Sequence, residues 1–166
     1  MRQRRVLGVS TAAAAIVLAA VSVSWACVTV EGTATIKKVV HKGEVSCSGD
    51  GQCAAPGDIV KVSGAEAAPN TRFFLHFRNY ERTSATYYHF VLTGSHCLGN
   101  AVEDDVRISR RASMSDAEGN IAVTNGIIPR AAKSSSEYGG LLGPALLCFV
   151  DTTENIVTAG DTLTII

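Results

Sequence analysis

The sequence is short of catalytic signatures. It holds no G-x-S-x-G turn, no S-x-x-K pair, and neither the Walker nor the Rossmann glycine pattern. An enzyme needs a nucleophile beside a base, a carboxylate pair or an open metal site, and no such set stands out, so a non-catalytic role is expected. Beyond residue 26 there is no amphipathic helical pattern of ten or more residues, which leaves strands as the expected regular structure. An excess of one charge is missing as well: 15 Lys and Arg balance 15 Asp and Glu. Nothing basic enough to suggest nucleic acid is present.

What is there begins with a three-part leader. Arg2, Arg4 and Arg5 precede an apolar run from Val6 to about Val23, and Ser24-Trp25-Ala26 places small residues where a signal peptidase reads. This layout predicts a signal peptide over residues 1–26 and a secreted or extracytoplasmic product. The run is close to the roughly 20 residues that cross a bilayer, so an uncleaved signal anchor is the alternative. With the leader removed, twelve basic side chains face fifteen acidic ones, a net of −3. The remaining 140 residues suit one domain with an ordinary core.

Five cysteines follow the leader: Cys27, Cys47, Cys53, Cys97 and Cys148. Exported cysteines are usually paired, and an odd count leaves one over. Cys27, the first mature residue, is the candidate for lipidation or a free thiol. Ser24 and Trp25 fit a lipidation signal poorly, because Leu and a small residue belong there. A membrane partner is expected only if Cys27 is lipidated or the leader stays uncleaved. Cys47 and Cys53 bracket five small or polar residues, a spacing that predicts a local disulfide. A metal held by the two thiolates and Asp50 is the competing reading, and no His lies within that loop to complete it.

Alternation then places the strands. In Asp58–Ser63, Val60 and Val62 share one face with Lys61 and Ser63 on the other; in Thr71–Phe77, Phe73, Leu75 and Phe77 oppose Arg72, Phe74 and His76. Val28–Val30 and Ala34–Val40 read as opening strands, with Lys37 and Lys38 turned to water or marking an edge. Tyr87–Leu92 is a further strand of aromatic and β-branched type. Val106–Arg110 follows the acidic Glu103-Asp104-Asp105, with Val106 and Ile108 inward and Arg107 and Arg110 outward. Ser115–Asn120 is the clearest turn, leading into a strand over Ile121–Thr124. Its alternating oxygens invite a calcium reading, but the closing Glu of an EF-hand loop is missing. Ala145–Asp151 and Gly160–Ile166 close the chain. Short strands with turns between them predict an all-β, Ig-like β-sandwich of about seven to nine antiparallel strands. The division is residues 27–56 as N-terminal strands and cysteine loop, and 57–166 as the sandwich, together one folded unit.

Three phrases carry a resemblance. GDIVKVSGAEAAPNTRFFLHF is similar to the G-x-x-V-x-V-x-G…P-[GN]-T-x-[VF] phrase of Ig-like modules in exported actinobacterial proteins. MSDAEGNIAV resembles their hairpin, and LLCFVDTTENIVTAGDTLTI their closing strands. The order of phrases resembles the neocarzinostatin family of secreted Ig-like proteins, in which a sandwich cradles a small chromophore. The resemblance covers Gly57 to the end and implies the fold more than the function. The family's two short-range disulfides are not matched, since Cys97 and Cys148 sit in those neighbourhoods without near partners. That departure leaves a bond between Cys97 and Cys148 across the sandwich as an expectation, and no ligand residues carry over.

Two functional classes remain. One is a module binding a small molecule or an envelope protein, without cofactor. Its contacts are expected among Tyr87, Tyr88 and Phe90, beside Tyr80, and on the irregular Pro129–Pro144 stretch through Tyr138, Leu141 and Leu142. The other is an envelope copper- or zinc-binding protein using His89, His96 and Cys97. That second set requires a reduced Cys97. His76 and His89 read as strand residues, packed or at the surface.

Overall fold

The computed structural model describes residues 28–47, 52–79, 97, 105–132 and 143–166. These residues contain ten strands and no helix: β1 Thr29–Val40, β2 Cys53–Ala54, β3 Ile59–Ala65, β4 Arg72–Asn79, β5 Asp105–Arg107, β6 Ser113–Met114, β7 Ile121–Ile127, β8 Gly143–Asp151, β9 Ile156–Ala159 and β10 Asp161–Ile165. One layer runs β1–β3–β7, with both pairings antiparallel. The other is built on β8, which pairs β4 on one side and β9 then β10 on the other. The expected all-β sandwich is what the chain forms. Two of its pairings are parallel, β1 with β9 and β10 with β2, so the hydrogen-bonded sheet is mixed where only antiparallel strands were expected.

The core follows from period-two alternation. Val60 and Val62 from β3, with Ile121 from β7, meet Phe73, Leu75 and Phe77 from β4, Leu147 and Phe149 from β8, and Leu163 and Ile165 from β10. Ala34, Ile36 and Ala54 belong to the same core, so the residues before Gly57 are packed into it. β8 carries its apolar residues without a break, and both of its faces are covered. Ala145, Leu147 and Phe149 enter the main core, while Leu146, Cys148 and Val150 join a second cluster with Cys97 and Val157.

β1 is a single strand where two were expected. Gly32, at φ 79°, takes the extra residue of an irregularity between Val30 and Thr33 and lets the strand continue. β9 and β10 together line one edge of β8. Between the two stretches of ladder, the Phe149 N–H donates to the Thr158 hydroxyl at 3.0 Å, which satisfies the buried backbone where the pairing lapses. Opposite β1, the far side of the sandwich is drawn together by residues 108 and 109. The Ile108 and Ser109 N–H groups donate to the Leu75 carbonyl, and the Ile127 N–H donates to the Ile108 carbonyl.

Val106 departs from expectation. It is 45% exposed, whereas Ile108 is buried as expected. β5 spans only three residues, and among the described strands it pairs with β4 alone, which leaves Val106 at an open edge. Arg107 lays its guanidinium 3.6 Å from the centroid of the Phe74 ring, with Arg72 at 5.3 Å from the same ring. Such cation–π contacts contribute about 0.5–1 kcal/mol each at exposed sites. The remaining members of the outer β4 row, His76 and Arg78, are buried rather than solvated, Arg78 to 2% exposure, because that face is covered too.

The Ser115–Asn120 turn is as expected. The Asp116 carboxylate accepts from the N–H groups of Glu118 and Asn120 and from the Asn120 side-chain amide, so its oxygens serve the turn itself. These bonds hold the Asp116 carboxyl below the usual aspartate range. Gly119 sits at φ 81°, and a β-carbon there would fall 2.2 Å from the Ala67 carbonyl oxygen. Gly119→Ala therefore combines left-handed strain with a backbone clash and is expected to cost about 2 kcal/mol or more in urea denaturation. A cost below about 0.5 kcal/mol would contradict this turn geometry.

Candidate functional site

Cysteine chemistry is settled at four positions. Cys47 and Cys53 form a disulfide with Cα atoms 5.7 Å apart, the pairing that their spacing predicts. Cys97 and Cys148 form the second, with Cα atoms 5.9 Å apart. The second bond does not cross the space between the layers. Cys148 belongs to the outer row of β8, so the bond fastens Cys97 against the far face of the β4–β8 layer. Because the Cys97 sulfur is spent in this bond, the copper or zinc set of His89, His96 and Cys97 loses its thiolate. Among the described residues no three His, Cys, Asp or Glu side chains converge on a point that would hold a metal ion. His89 and His96 lie outside the described residues, as do Cys27, Tyr87, Tyr88, Phe90, Tyr138, Leu141 and Leu142, the other site candidates.

The site that the fold does assemble lies where β1 leaves its partner register. Ile36 pairs with Val62 and Lys38 with Lys61, so Lys37 is an extra residue, a β-bulge. Ile36 points into the core and Val39 packs against it, which leaves both intervening lysines outward and exposed. Side chains satisfy the backbone of the bulge. The Ile36 N–H donates to the Asp161 carboxylate at 2.8 Å, and the Gln52 amide donates to the Ile36 carbonyl at 3.4 Å. Beside the bulge runs an open cleft of about 290 Å³, lined by Lys37, Lys38, Val39, His41, Gln52 and the Cys47–Cys53 bridge.

One wall of this cleft is held by a buried carboxylate. Asp58, 2% exposed, accepts from the Ala55 N–H at 2.8 Å and the Lys42 N–H at 3.0 Å, and lies 2.7 Å from Nδ1 of His41. One side chain thus ties the end of β1, the residues after the disulfide and the start of β3 together. Burial pushes the Asp58 carboxyl up, but the Ala55 N–H, the His41 ring and the Lys42 N–H outweigh it and hold the group below the ordinary value of 3.8. A depressed native pKa means that the unfolded chain takes up its proton first as pH falls. The stabilisation by Asp58 is complete above 3.8 and is lost as pH drops from there through the native value. Urea unfolding of wild type and Asp58→Asn between about pH 6 and pH 2 should show a stability gap that closes across this range. A gap constant with pH would rule the linkage out. The variant comparison is needed because Asp116 loses its own stabilisation over the same range.

Neither His41 nor Asp58 stands out in the sequence. Asp58 opens an alternating strand and reads as its first residue, and His41 lies 17 positions earlier. The lysines are visible, but only as edge or surface charge. Compared with protein-family models, with curated proteins and with solved structures, the chain matches none.

Proposed function

We propose that the chain is an extracytoplasmic, non-catalytic Ig-like binding module, secreted or held at the cell envelope. The observation that carries this reading is the pair of disulfides, Cys47–Cys53 and Cys97–Cys148. Such bonds persist in oxidising compartments and are rare in the cytosol, and the leader-like residues 1–26 agree with export. One bridge fastens Cys47 to β2 and the other fastens Cys97 to the outer face of β8, and rigid scaffolds of this kind present binding surfaces. The similarity of the Gly57–Ile166 phrases to exported actinobacterial modules of the neocarzinostatin type supports the same class.

The test is expression of the full chain in a host with a Sec pathway, with thiols trapped at lysis and intact mass measured with and without reduction. The expected product lies outside the cytoplasm, begins at Cys27, and holds two disulfides with Cys27 as the one remaining cysteine. Acyl mass on that residue would make it a lipid-anchored form of the same module. Retention in the cytoplasm with five trappable thiols would overturn the proposal.

A further inference from the structure

The lysine arrangement at the bulge works against stability. Lys38 and Lys61 are cross-strand partners, and like charges directly opposite each other destabilise a sheet. The bulge adds Lys37 to the same side. Among the described residues no carboxylate comes within 4.0 Å of any of the three ammonium groups, and the ion pair beside the bulge is His41–Asp58. Two acids of this region are already committed. Asp161 accepts the Ile36 and Thr162 N–H groups, and Asp58 accepts two N–H groups as well as facing His41. A net charge of −3 over residues 27–166 makes this concentration of positive charge local rather than general.

We propose that the cleft between the Lys37–Lys38 bulge and the Cys47–Cys53 bridge is a binding site for a phosphorylated ligand, a phosphate or phosphodiester group held between the two lysines and His41. The donor set suits phosphate. Lysine binds phosphate as a compact point charge, and among the described residues the cleft lining holds no arginine. His41 is held by Asp58 through Nδ1, which leaves Nε2 as the ring atom free to face a ligand. The disulfide and the Gln52–Ile36 bond fix the opposite wall, so little ordering is needed on binding. The same chemistry is offered by a small oligophosphate and by a phosphodiester polymer of an envelope. This assignment rests on the reading of the chain as a binding module and supplies its ligand class.

Calorimetric titration of the exported, oxidised protein with pyrophosphate, with a short glycerol-phosphate oligomer and with citrate provides the test. Binding of at least one phosphate probe is expected, weakening as salt is raised to physiological strength. Tighter binding of the oligomer would identify the polymer as the source, and tighter binding of pyrophosphate the small ligand. Lys37→Gln/Lys38→Gln should weaken binding at least about tenfold while raising the melting temperature, because it removes the Lys38–Lys61 repulsion. Lys61→Gln relieves that repulsion without touching the cleft, and should raise the melting temperature with affinity nearly unchanged. Citrate binding as tightly as the phosphates, affinity insensitive to the double substitution, or no heat with any probe would each overturn the assignment. Since export and disulfide content are read separately by mass, a failure here leaves the module reading standing, and the reverse also holds.

Discussion

Replacing Cys97 and Cys148 together by alanine should lower the unfolding free energy by about 4 kcal/mol, the chain-entropy cost of releasing a loop of this length. The two cysteines are 51 positions apart, against six for Cys47 and Cys53, and the same reasoning gives about 2 kcal/mol for the shorter loop. For a domain of this size the larger loss corresponds to a fall of roughly 10–15 °C in melting temperature. There is a second reason to expect the order. Cys97 and Cys148 are fully buried in the outer cluster with Leu146, Val150 and Val157, so the substitution also removes packed sulfur there. Thermal and urea unfolding of both double-alanine variants would check it. If losing the short bridge cost more than losing the long one, the outer face would not be tethered as described.

Phe149→Ala is the other large effect, at about 3–5 kcal/mol. The side chain is fully buried on the inner row of β8, and its backbone pairs with Leu75 of β4. Phe73, Leu75 and Phe77 enter the same core from β4, and Val60 and Val62 from the opposite layer. A cavity at this position would have core side chains of both layers around it, with little freedom to collapse. Phe149→Leu keeps most of the volume and should cost less than half as much. The comparison needs only urea midpoints, provided that the slope stays unchanged. A loss below about 1 kcal/mol for the alanine variant would mean that the inner row of β8 is not the centre of the core.

Much of the scaffold was legible because alternation is a local signal. Phe73, Leu75 and Phe77, or Val60 and Val62, announce a buried face to anyone counting in twos. Ala145–Asp151 was expected as a closing strand, and the structure adds that both of its faces are buried. Legibility failed where the deciding neighbour is remote. Val106 was expected inward from its own alternation, yet only the element outside β5 determines whether an inward place exists. β9 is four residues long and follows Asn155 in a left-handed turn, and its place as a separate strand is set by β1 lying beside it. The Cys97–Cys148 pairing was open to inference but its face was not, since the face depends on which row of β8 holds Cys148. At the candidate site the lysines were visible as charges. Their convergence required the bulge, and a bulge is a property of two strands together.

The parallel pairing of β1 with β9 has a consequence for when this domain can form. The first described strand hydrogen-bonds to one of the last, with Thr29 opposite Ile156, and Ile36 bonds to Asp161, 125 positions away. β2 likewise waits for β10. Contacts at such separation demand that most of the loop-closure entropy be surrendered before they return anything, which makes folding slow. The layer built on β8 cannot gain β9 and β10 until nearly the whole chain has emerged. A polypeptide with this wiring completes its hydrogen-bonded sheet only when β1 and β2 meet the late strands.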